Sequence, residues 1–477
     1  MVRPDPVEVV VGLDAGTTSA KFVAADRDGR ILATASSDTI PTLAPSPGAS
    51  VQSAVDIRDA LATACSRGLE QLADEARVVA LAVAAQSGSV VPIHDGANHE
   101  AVTWMDTRSR ALVDGWDQAT VTSIRSQSGW MPSPGLGLST ISWLQTQTDS
   151  RSGIVHWASV DDYLVHGLTN SWTTNPSNAA GMQLLDAAEL KWSDVLCDIA
   201  GVNPRLLSTI APSGATAGAV SGEAAASTGF PESTPVIIGG HDQACAALGL
   251  DVITPGAAFL SMGTAWVLTI VTDRADIEAL PAEYNLSPHV VSQRWTISQN
   301  LGGFGAALDS FIAGSHDDIA AIEADLETRS EKVDDHHFVP NIHQADRTGW
   351  GEFTGDPPSY ADEIRSVMDT CAFEVRRAVE QASTISPMSQ LTVVGGGTQS
   401  RYLTQQIADV TGVPLVVRPD ASWPALGAAK LAAQGVGWPA LAIAELPSAT
   451  IEPRPQADGV SELRYLEYLR LTAGRKT

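Results

Sequence analysis

The stretch VVVGLDAGTTSAKFVAAD, Val9 to Asp26, decides how the rest of the chain reads. Two apolar runs rich in Val and Ala flank a turn of Gly16, Thr17 and Thr18, and Asp14 stands at the end of the first run. Apolar runs of this length bounded by turn residues predict strands. Val7 to Leu13, Ala20 to Ala25 and Ile31 to Ala35 then form three successive strands, with Asp28-Gly29 as a hairpin-type turn, so the opening is an antiparallel meander. A helical run from Val55 to Leu72 follows, and VVALAVAA, Val78 to Ala85, reads as a buried parallel strand. Strands first and a helical crossover next give an α/β pattern.

The Gly-Thr-Thr turn has chemistry of its own. Glycine lets the backbone come close to an anion, and backbone N–H groups and threonine hydroxyls supply donors, which outlines a phosphate cradle. A carboxylate at Asp14 repels phosphate unless a cation such as Mg2+ stands between them. A strand-terminal Asp capping a turn explains the same residues without any ligand.

The design recurs in GAAFLSMGTAWVLTIVTD, Gly256 to Asp273. Gly16 precedes Asp26 by ten residues, and Gly263 precedes Asp273 by ten. The recurrence suggests two copies of one strand-turn-strand unit, one per domain, facing a cleft, or else a coincidence of two hairpins. A third landmark, LTVVGGGTQSRYLTQQIADVTGVPLVV, reads as a buried strand, three glycines, a helix from about Gln399 to Thr411 and a further strand. The dinucleotide fingerprint is not completed there, because Ser400 stands where the third glycine belongs, yet a strand, glycine turn and helix N-terminus still suit a nucleotide. ALGAAKLAAQG is a later helix whose small residues allow close packing.

STPVIIGGHDQACAALGL marks the expected boundary between domains. It places Asp242 where an apolar strand passes into a helix, a position that serves equally for a helix N-cap and for a base accepting a proton from a substrate hydroxyl. In TWMDTRSR, Trp104, Asp106 and Arg108 alternate, which on a strand or extended loop puts all three on one side. An aromatic face, a carboxylate and a guanidinium suit a polyol; an ion pair beside a core Trp is the other reading.

The whole chain bounds these possibilities. Its 477 residues suit two domains of roughly 200 to 250 residues each. A hydrophobic fraction of 44% with 18% charged residues is a globular balance. Against 29 Lys and Arg stand 55 Asp and Glu, a net charge of −26, which repels nucleic acid and anionic membranes. Cys65, Cys197, Cys245 and Cys371 form no C-x-x-C pair or disulfide framework, so buried thiols in a reducing cytoplasm are expected. No signal peptide and no transmembrane helix are read from the sequence. No P-loop signature occurs, and the histidines, His336 and His337 included, show no zinc-ligand spacing.

Taken together and in order, the motifs resemble the FGGY carbohydrate kinase family over nearly the whole chain, from Val9 to about Gln434. GLDAGTTSAKFVAAD is similar to that family's first phosphate segment, WMDTRS to its W-x-D-x-R sugar segment, and GGHDQACAALG to its catalytic G-x-D-Q segment. SMGTAW resembles the second phosphate segment, and VVGGGTQSRYLTQQIADVTGVPL the adenosine segment.

The resemblance implies an α/β fold of two actin-like, duplicated ribonuclease-H-type domains with an inter-domain cleft. Residues 1–241 would form the sugar and phosphate side and residues 242–477 the nucleotide side. It implies ATP and Mg2+ as cofactors, with Asp14 and Asp242 near the metal and Asp242 as general base. Gly16, Thr17, Thr18, Lys21, Gly263 and Thr264 would bind phosphate, and Gly302, Gly303, Gly396, Gly397 and Ser400 the nucleotide. Gln86, Trp104, Asp106, Arg108 and Asp242 would border the sugar. The implied partners are a small sugar and ATP, with no nucleic acid and no membrane, and a homodimer is common among similar kinases. A pentulose such as xylulose or ribulose leads as substrate, followed by gluconate, a deoxy sugar or a polyol such as glycerol. A non-catalytic nucleotide or sugar sensor of the same fold and an actin-like ATPase are the competing readings.

Overall fold

The computed structural model describes residues 6–96, 99–147, 153–313, 319–328, 336–341, 349–355, 359–443, 446–455 and 459–473. The chain divides into two compact units. The first comprises Met1–Ile253, Asp273–Thr296 and Ala421–Glu445; the second comprises Thr254–Thr272, Ile297–Asp420 and Leu446–Thr477.

In chain order, the principal strands of the first unit are β1 (Val7–Ala15), β2 (Ala20–Asp26), β3 (Ile31–Ser36), β4 (Val51–Ser53), β5 (Ala76–Ala85), β6 (Val90–His94), β7 (Glu100–Val102), β8 (Ile154–Ser159), β9 (Thr216–Ala219) and β10 (Pro235–His241). The main sheet runs β9-β10-β5-β1-β2-β3, and a smaller sheet runs β4-β7-β6-β8. The opening meander is as expected: β1 and β2 pair antiparallel, as do β2 and β3. Its hairpin turns at Gly29, where φ is +80°, while Asp26 Oδ1 accepts the N–H groups of Asp28 and Arg30.

The run VVALAVAA lies in β5, parallel to both β1 and β10. Its side chains alternate between two cores: Leu81, Val83 and Ala85 pack on one face, Ala80, Ala82 and Ala84 on the other. A strand covered on both faces has no solvent side, so it carries no polar alternation. Helix α1 (Ala54–Leu69) covers the first face, with Ser53 accepting the N–H of Asp56 as its cap. It ends before the expected Leu72, because Gln71 and Leu72 make only three-residue turns to Gly68 and Leu69. Helix α2 (Val160–Thr169) follows β8, and helix α3 (Asp242–Gly249) follows β10.

The second unit repeats the plan. Its principal strands are β11 (Ala258–Met262), β12 (Trp266–Thr272), β13 (Trp295–Gly302), β14 (Leu391–Val394), β15 (Leu415–Val417) and β16 (Ala449–Ile451). They run β13-β12-β11-β14-β15-β16, with β11 antiparallel to β12, parallel strands at β11, β14 and β15, and β16 antiparallel at the end. From β12 to β16 the pairs run antiparallel, parallel, parallel, antiparallel, as do those from β2 through β1, β5 and β10 to β9, so the recurrence of Gly16-Thr17 as Gly263-Thr264 reflects one strand plan used twice. Helices α4 (Phe304–Ala313), α5 (Tyr360–Ser383) and α6 (Arg401–Thr411) belong to this unit.

Helix α7 (Trp423–Gly435), which contains ALGAAKLAAQG, returns to the first unit and packs on β1, β5 and α3. The small residues have the predicted consequence. A Cβ on Gly427 would stand 1.8 Å from the Cys245 carbonyl oxygen, and one on Gly12 the same distance from that of Ala425.

Candidate active site

Three neighbouring parallel strands of the first unit end together. Asp14 and Gly240 stand opposite Ala84 from either side, and Ala15 and His241 do the same at Ala85. Asp14, Gln86 and Asp242 therefore emerge at the carboxyl edge of one sheet, the edge at which open α/β sheets place their ligands. Sequence separations of 72 and 156 residues are collapsed by strand pairing into one cluster.

Asp14 is 5% exposed, and its cross-strand neighbour on β2 is Lys21. Burial, then the charge of Asp242, push its carboxyl up to about 7, while Lys21 and a hydrogen bond from Ser422 pull it down. Ser422 Oγ donates to Oδ2 at 3.3 Å, and Oδ1 is buried with no partner among the described residues. A strand-turn cap would have its acceptors used by backbone N–H groups; this carboxylate keeps one oxygen unspent beside a second carboxylate.

Asp242 opens α3 as its first helical residue, with His241 in the N-cap position, so the cap alternative does not hold in its strict form. Asp242 Oδ1 accepts the N–H of Gln243 at 2.6 Å and lies 2.9 Å from His241 Nε2.

Thr17 joins the turn to the sugar-side residues. Its Oγ1 accepts Trp104 Nε1–H at 3.0 Å and donates to Gln86 Oε1 at 3.2 Å. Gln86 Oε1 also accepts from Ser89 Oγ at 2.9 Å, and Ser89 Oγ accepts the Trp104 N–H at 3.1 Å. Gln52 Nε2 donates to the Thr17 carbonyl at 2.7 Å, and Gln52 Oε1 accepts from Gln86 Nε2 at 3.3 Å. Gly16 N bonds Ser19 O at 3.2 Å across the turn, and Thr18 is exposed, with its carbonyl accepting the Ile40 N–H at 2.7 Å.

The expectation that Trp104, Asp106 and Arg108 share one side needs correction. The strand β7 ends at Val102 and the chain turns, with Asp106 N bonded to Thr103 O, so the two-residue period of a strand does not apply. Trp104 is 44% exposed and Asp106 is 2% exposed. The Asp106 carboxylate accepts Ser50 N at 2.9 Å, Arg108 N at 2.9 Å and Arg108 Nε at 2.8 Å, while the Arg108 guanidinium lies 4.4 Å over the Trp143 ring. Asp106 and Arg108 thus hold the loop that presents Trp104.

The residues expected to face the nucleotide, with Gly263 and Thr264, fall in the second unit. Gly263 and Thr264 form the turn between β11 and β12, and Thr264 O accepts the N–H of Ala306 at 3.1 Å. Gly302, with φ at +95°, closes β13, and Gly303 immediately precedes α4. Gly396 and Gly397 lie in a tight 3-10 turn, Gly396–Gln399, which delays the helix expected from Gln399 until Arg401. Ser400 caps that helix, its hydroxyl accepting the Leu403 N–H at 3.0 Å. This bond uses one acceptor of a side chain expected to face the nucleotide.

His241 and Ser422 escaped the sequence reading. Ser422 precedes Trp423-Pro424 at a helix start, which reads as a cap, yet its hydroxyl makes no cap bond and turns to Asp14. All four cysteines are free and buried, and burial raises their thiols, Cys197 to about 12. Among the described residues no cluster of three or more His, Cys, Asp or Glu is disposed to hold a metal, and no helix is long and apolar enough to cross a membrane.

Carboxylates and a Gly-Thr-Thr turn at the ends of parallel strands are groups that phosphoryl transfer uses. Comparison with known proteins agrees. The N-terminal domain model of the FGGY family of carbohydrate kinases matches residues 9–249, and the C-terminal domain model matches residues 286–436. The chain is 26% identical to a xylulose kinase of Escherichia coli (strain K12), covering 93% of each chain. It is 27% identical to an autoinducer-2 kinase of the same strain, covering 90% of this chain and 86% of the other. The solved xylulose kinase structure from Rhodospirillum rubrum superposes with a TM-score of 0.87 at 23% identity, over 98% of both chains. The chain belongs to the FGGY family of carbohydrate kinases and has the family's two-domain, actin-like α/β fold. It is a sugar kinase, of a family that takes its phosphoryl group from ATP.

Proposed function

We propose that this kinase phosphorylates a hydroxyl of a pentulose such as xylulose or ribulose. The likeness to xylulose kinases supports a pentulose, and the observation that carries the transfer is the convergence of Asp14, Gln86 and Asp242 at one sheet edge, joined by hydrogen bonds from Gln86 through Thr17 to Trp104. A base, a phosphate turn and an exposed aromatic plane are what the transfer needs side by side.

In the reaction, Asp242 accepts the proton of the acceptor hydroxyl as its oxygen bonds to the γ-phosphorus. The bond from that phosphorus to the bridging oxygen breaks, and ADP leaves. Gly16, Thr17 and Thr18, with Gly263 and Thr264, offer donors to the phosphates, and Lys21 adds positive charge. Gly302, Gly303, Gly396 and Gly397 border the nucleotide; Gln86 borders the sugar, as does Trp104 on the loop held by Asp106 and Arg108. The first unit, Asp242 included, serves the acceptor in this reading, and Gly302, Gly303, Gly396 and Gly397 lie in the second unit.

Asp14 and Asp242 fit Mg2+. Asp14 has a buried, unpartnered oxygen beside a second carboxylate, and a pair of carboxylates completed by water and substrate phosphates is the usual set for this ion. Bound there, Mg2+ would neutralise phosphate charge. The buried thiols suit a reducing cytoplasm, and the family resemblance supports a homodimer.

Coupled ADP release with Mg-ATP across pentuloses, hexuloses, polyols, aldonic acids and autoinducer-2, with mass spectrometry of the product, tests the proposal. Strong turnover of one pentulose with gain of a single phosphate is the expected result. Turnover confined to gluconate, a deoxy sugar or glycerol overturns the substrate class, and nucleotide binding without turnover of any acceptor favours a sensor.

A further inference from the structure

Lys430, on α7, is buried, and its ammonium donates three hydrogen bonds: to the Leu248 carbonyl at 3.1 Å, to the Gly249 carbonyl at 3.2 Å and to Asp251 Oδ1 at 2.7 Å. Leu248 and Gly249 are the last two residues of α3, and Asp242 is its first. The final carbonyls of a helix have no partner within it and carry the negative end of its dipole. A buried lysine thus supplies donors and positive charge to the far end of the helix that bears Asp242.

The other carboxylate is fastened to the same helix. Ser422, just before α7, donates to Asp14 Oδ2 at 3.3 Å, and Gly12 of β1 lies against the backbone of Ala425 and Ala429. Helix α3 packs on α7 as closely, since a Cβ on Gly249 would stand 2.3 Å from the Trp423 carbonyl oxygen. Close packing of small residues fixes how far apart two helices lie, but it is not directional along their axes. The bonds from Lys430 are directional, and they end on the last turn of α3. That helix has eight residues, about 12 Å at 1.5 Å per residue, so it moves as one piece and a slide at Gly249 reappears at Asp242.

We propose that Lys430 is a positioning residue for phosphoryl transfer: by tying the carboxyl end of α3 to α7, it sets the place of Asp242 relative to Asp14. The inference rests on Asp242 being the base. Without the ammonium, two carbonyls at the end of α3 lose their donor and the helix is free to shift along α7. A misplacement of about 1 Å at a reacting group costs up to about 100-fold in rate. Gln86, Trp104 and the two Gly-Thr turns stand on other elements, so the loss falls on kcat and spares KM.

Steady-state kinetics of the full chain, with the acceptor found active in the panel, tests this. Lys430→Met keeps an apolar stem of similar length and deletes the donors, and kcat should fall about 10- to 100-fold with KM for acceptor and ATP unchanged. Asp251→Gly, which suits the φ of +61° there, removes the carboxylate and leaves the carbonyl bonds, so its kcat should match wild type. Leu61→Ala empties part of the core on the face of the sheet away from α3 and α7. It should lower the melting temperature while kcat, read well below that temperature, stays at the wild-type value.

Wild-type kcat in folded Lys430→Met, a loss confined to KM, or an equal loss of kcat in Asp251→Gly or Leu61→Ala overturns the proposal. Lys430→Gln, neutral and one atom shorter, serves if Lys430→Met does not fold: kcat should still fall, and wild-type kcat there overturns the proposal as well. Asp242→Asn separates the two ideas. Wild-type turnover in that variant removes the base reading itself, whereas an inactive Asp242→Asn beside a fully active Lys430→Met refutes only the role of Lys430.

Discussion

The Ser422 hydroxyl donates to Asp14 Oδ2 at 3.3 Å, joining the first strand of the chain to the start of helix α7 across 408 residues. The bond settles one oxygen of a buried carboxylate and leaves the other without a partner among the described residues.

An ionised Asp14 is costly to bury, as the rise of its carboxyl to about 7 records. Asp14→Asn keeps the shape and removes the charge, so the metal-free protein should gain stability at pH 8, on the order of 1 to 3 kcal/mol. Kinase activity should fall at least about 100-fold. Urea unfolding beside a turnover assay checks the pair of effects; loss of both stability and activity would contradict the account.

Thr17 Oγ1 is donor to Gln86 and acceptor from Trp104 at once. Thr17→Val deletes both bonds at nearly constant volume, and each is worth about 1 kcal/mol. KM for the sugar should rise roughly 5- to 30-fold, with a loss of stability of about 1 to 2 kcal/mol. Thr17→Ser should stay close to wild type, and steady-state kinetics on the three proteins decides the matter.

His289 is buried, with Nδ1 accepting the Val291 N–H at 2.9 Å and Nε2 facing the Val252 carbonyl at 3.3 Å. Burial lowers it from 6.5 to about 4, helped by Arg294 and opposed by the Val252 carbonyl. Between those two values the unfolded chain binds a proton that the folded chain refuses. Stability contributed by the neutral ring is therefore complete above about pH 6.5 and declines as pH falls towards 4, by up to about 3 kcal/mol. His289→Asn should flatten this part of the profile, seen as a smaller difference between urea midpoints at pH 7 and pH 5.

Gly427 admits no side chain, because its Cβ would overlap the backbone carbonyl of Cys245. Gly427→Ala should force α3 and α7 apart and cost about 2 to 4 kcal/mol. Gly222→Ala, on a helix where the nearest atoms are 3.7 Å away, should be neutral or slightly stabilising by comparison. Calorimetry of the two variants tests whether close backbone packing holds this part of the first unit.

Much of the fold was legible because its signals are local. The Val- and Ala-rich runs, the turns at Asp28-Gly29 and Gly16-Thr18, and the spacing shared with Gly263 each lie within about a dozen residues, the range over which periodicity and turn chemistry act. The carboxylates at strand ends were visible for the same reason. Local reading failed at Trp104, Asp106 and Arg108, where a turn at Thr103 replaced the strand period and buried the central carboxylate.

By itself, then, the sequence determined the α/β class, the repeated strand-turn-strand plan and the residue types at the strand ends, since apolar period and turn residues act between neighbours. Only the tertiary structure decided that Thr17 bridges Gln86 and Trp104, that Ser422 turns to Asp14, and that His241 contacts Asp242. These depend on strand register and on packing between segments up to 408 residues apart. The electrostatics of Asp14 belong there too, because burial and a neighbouring charge are properties of the folded surroundings.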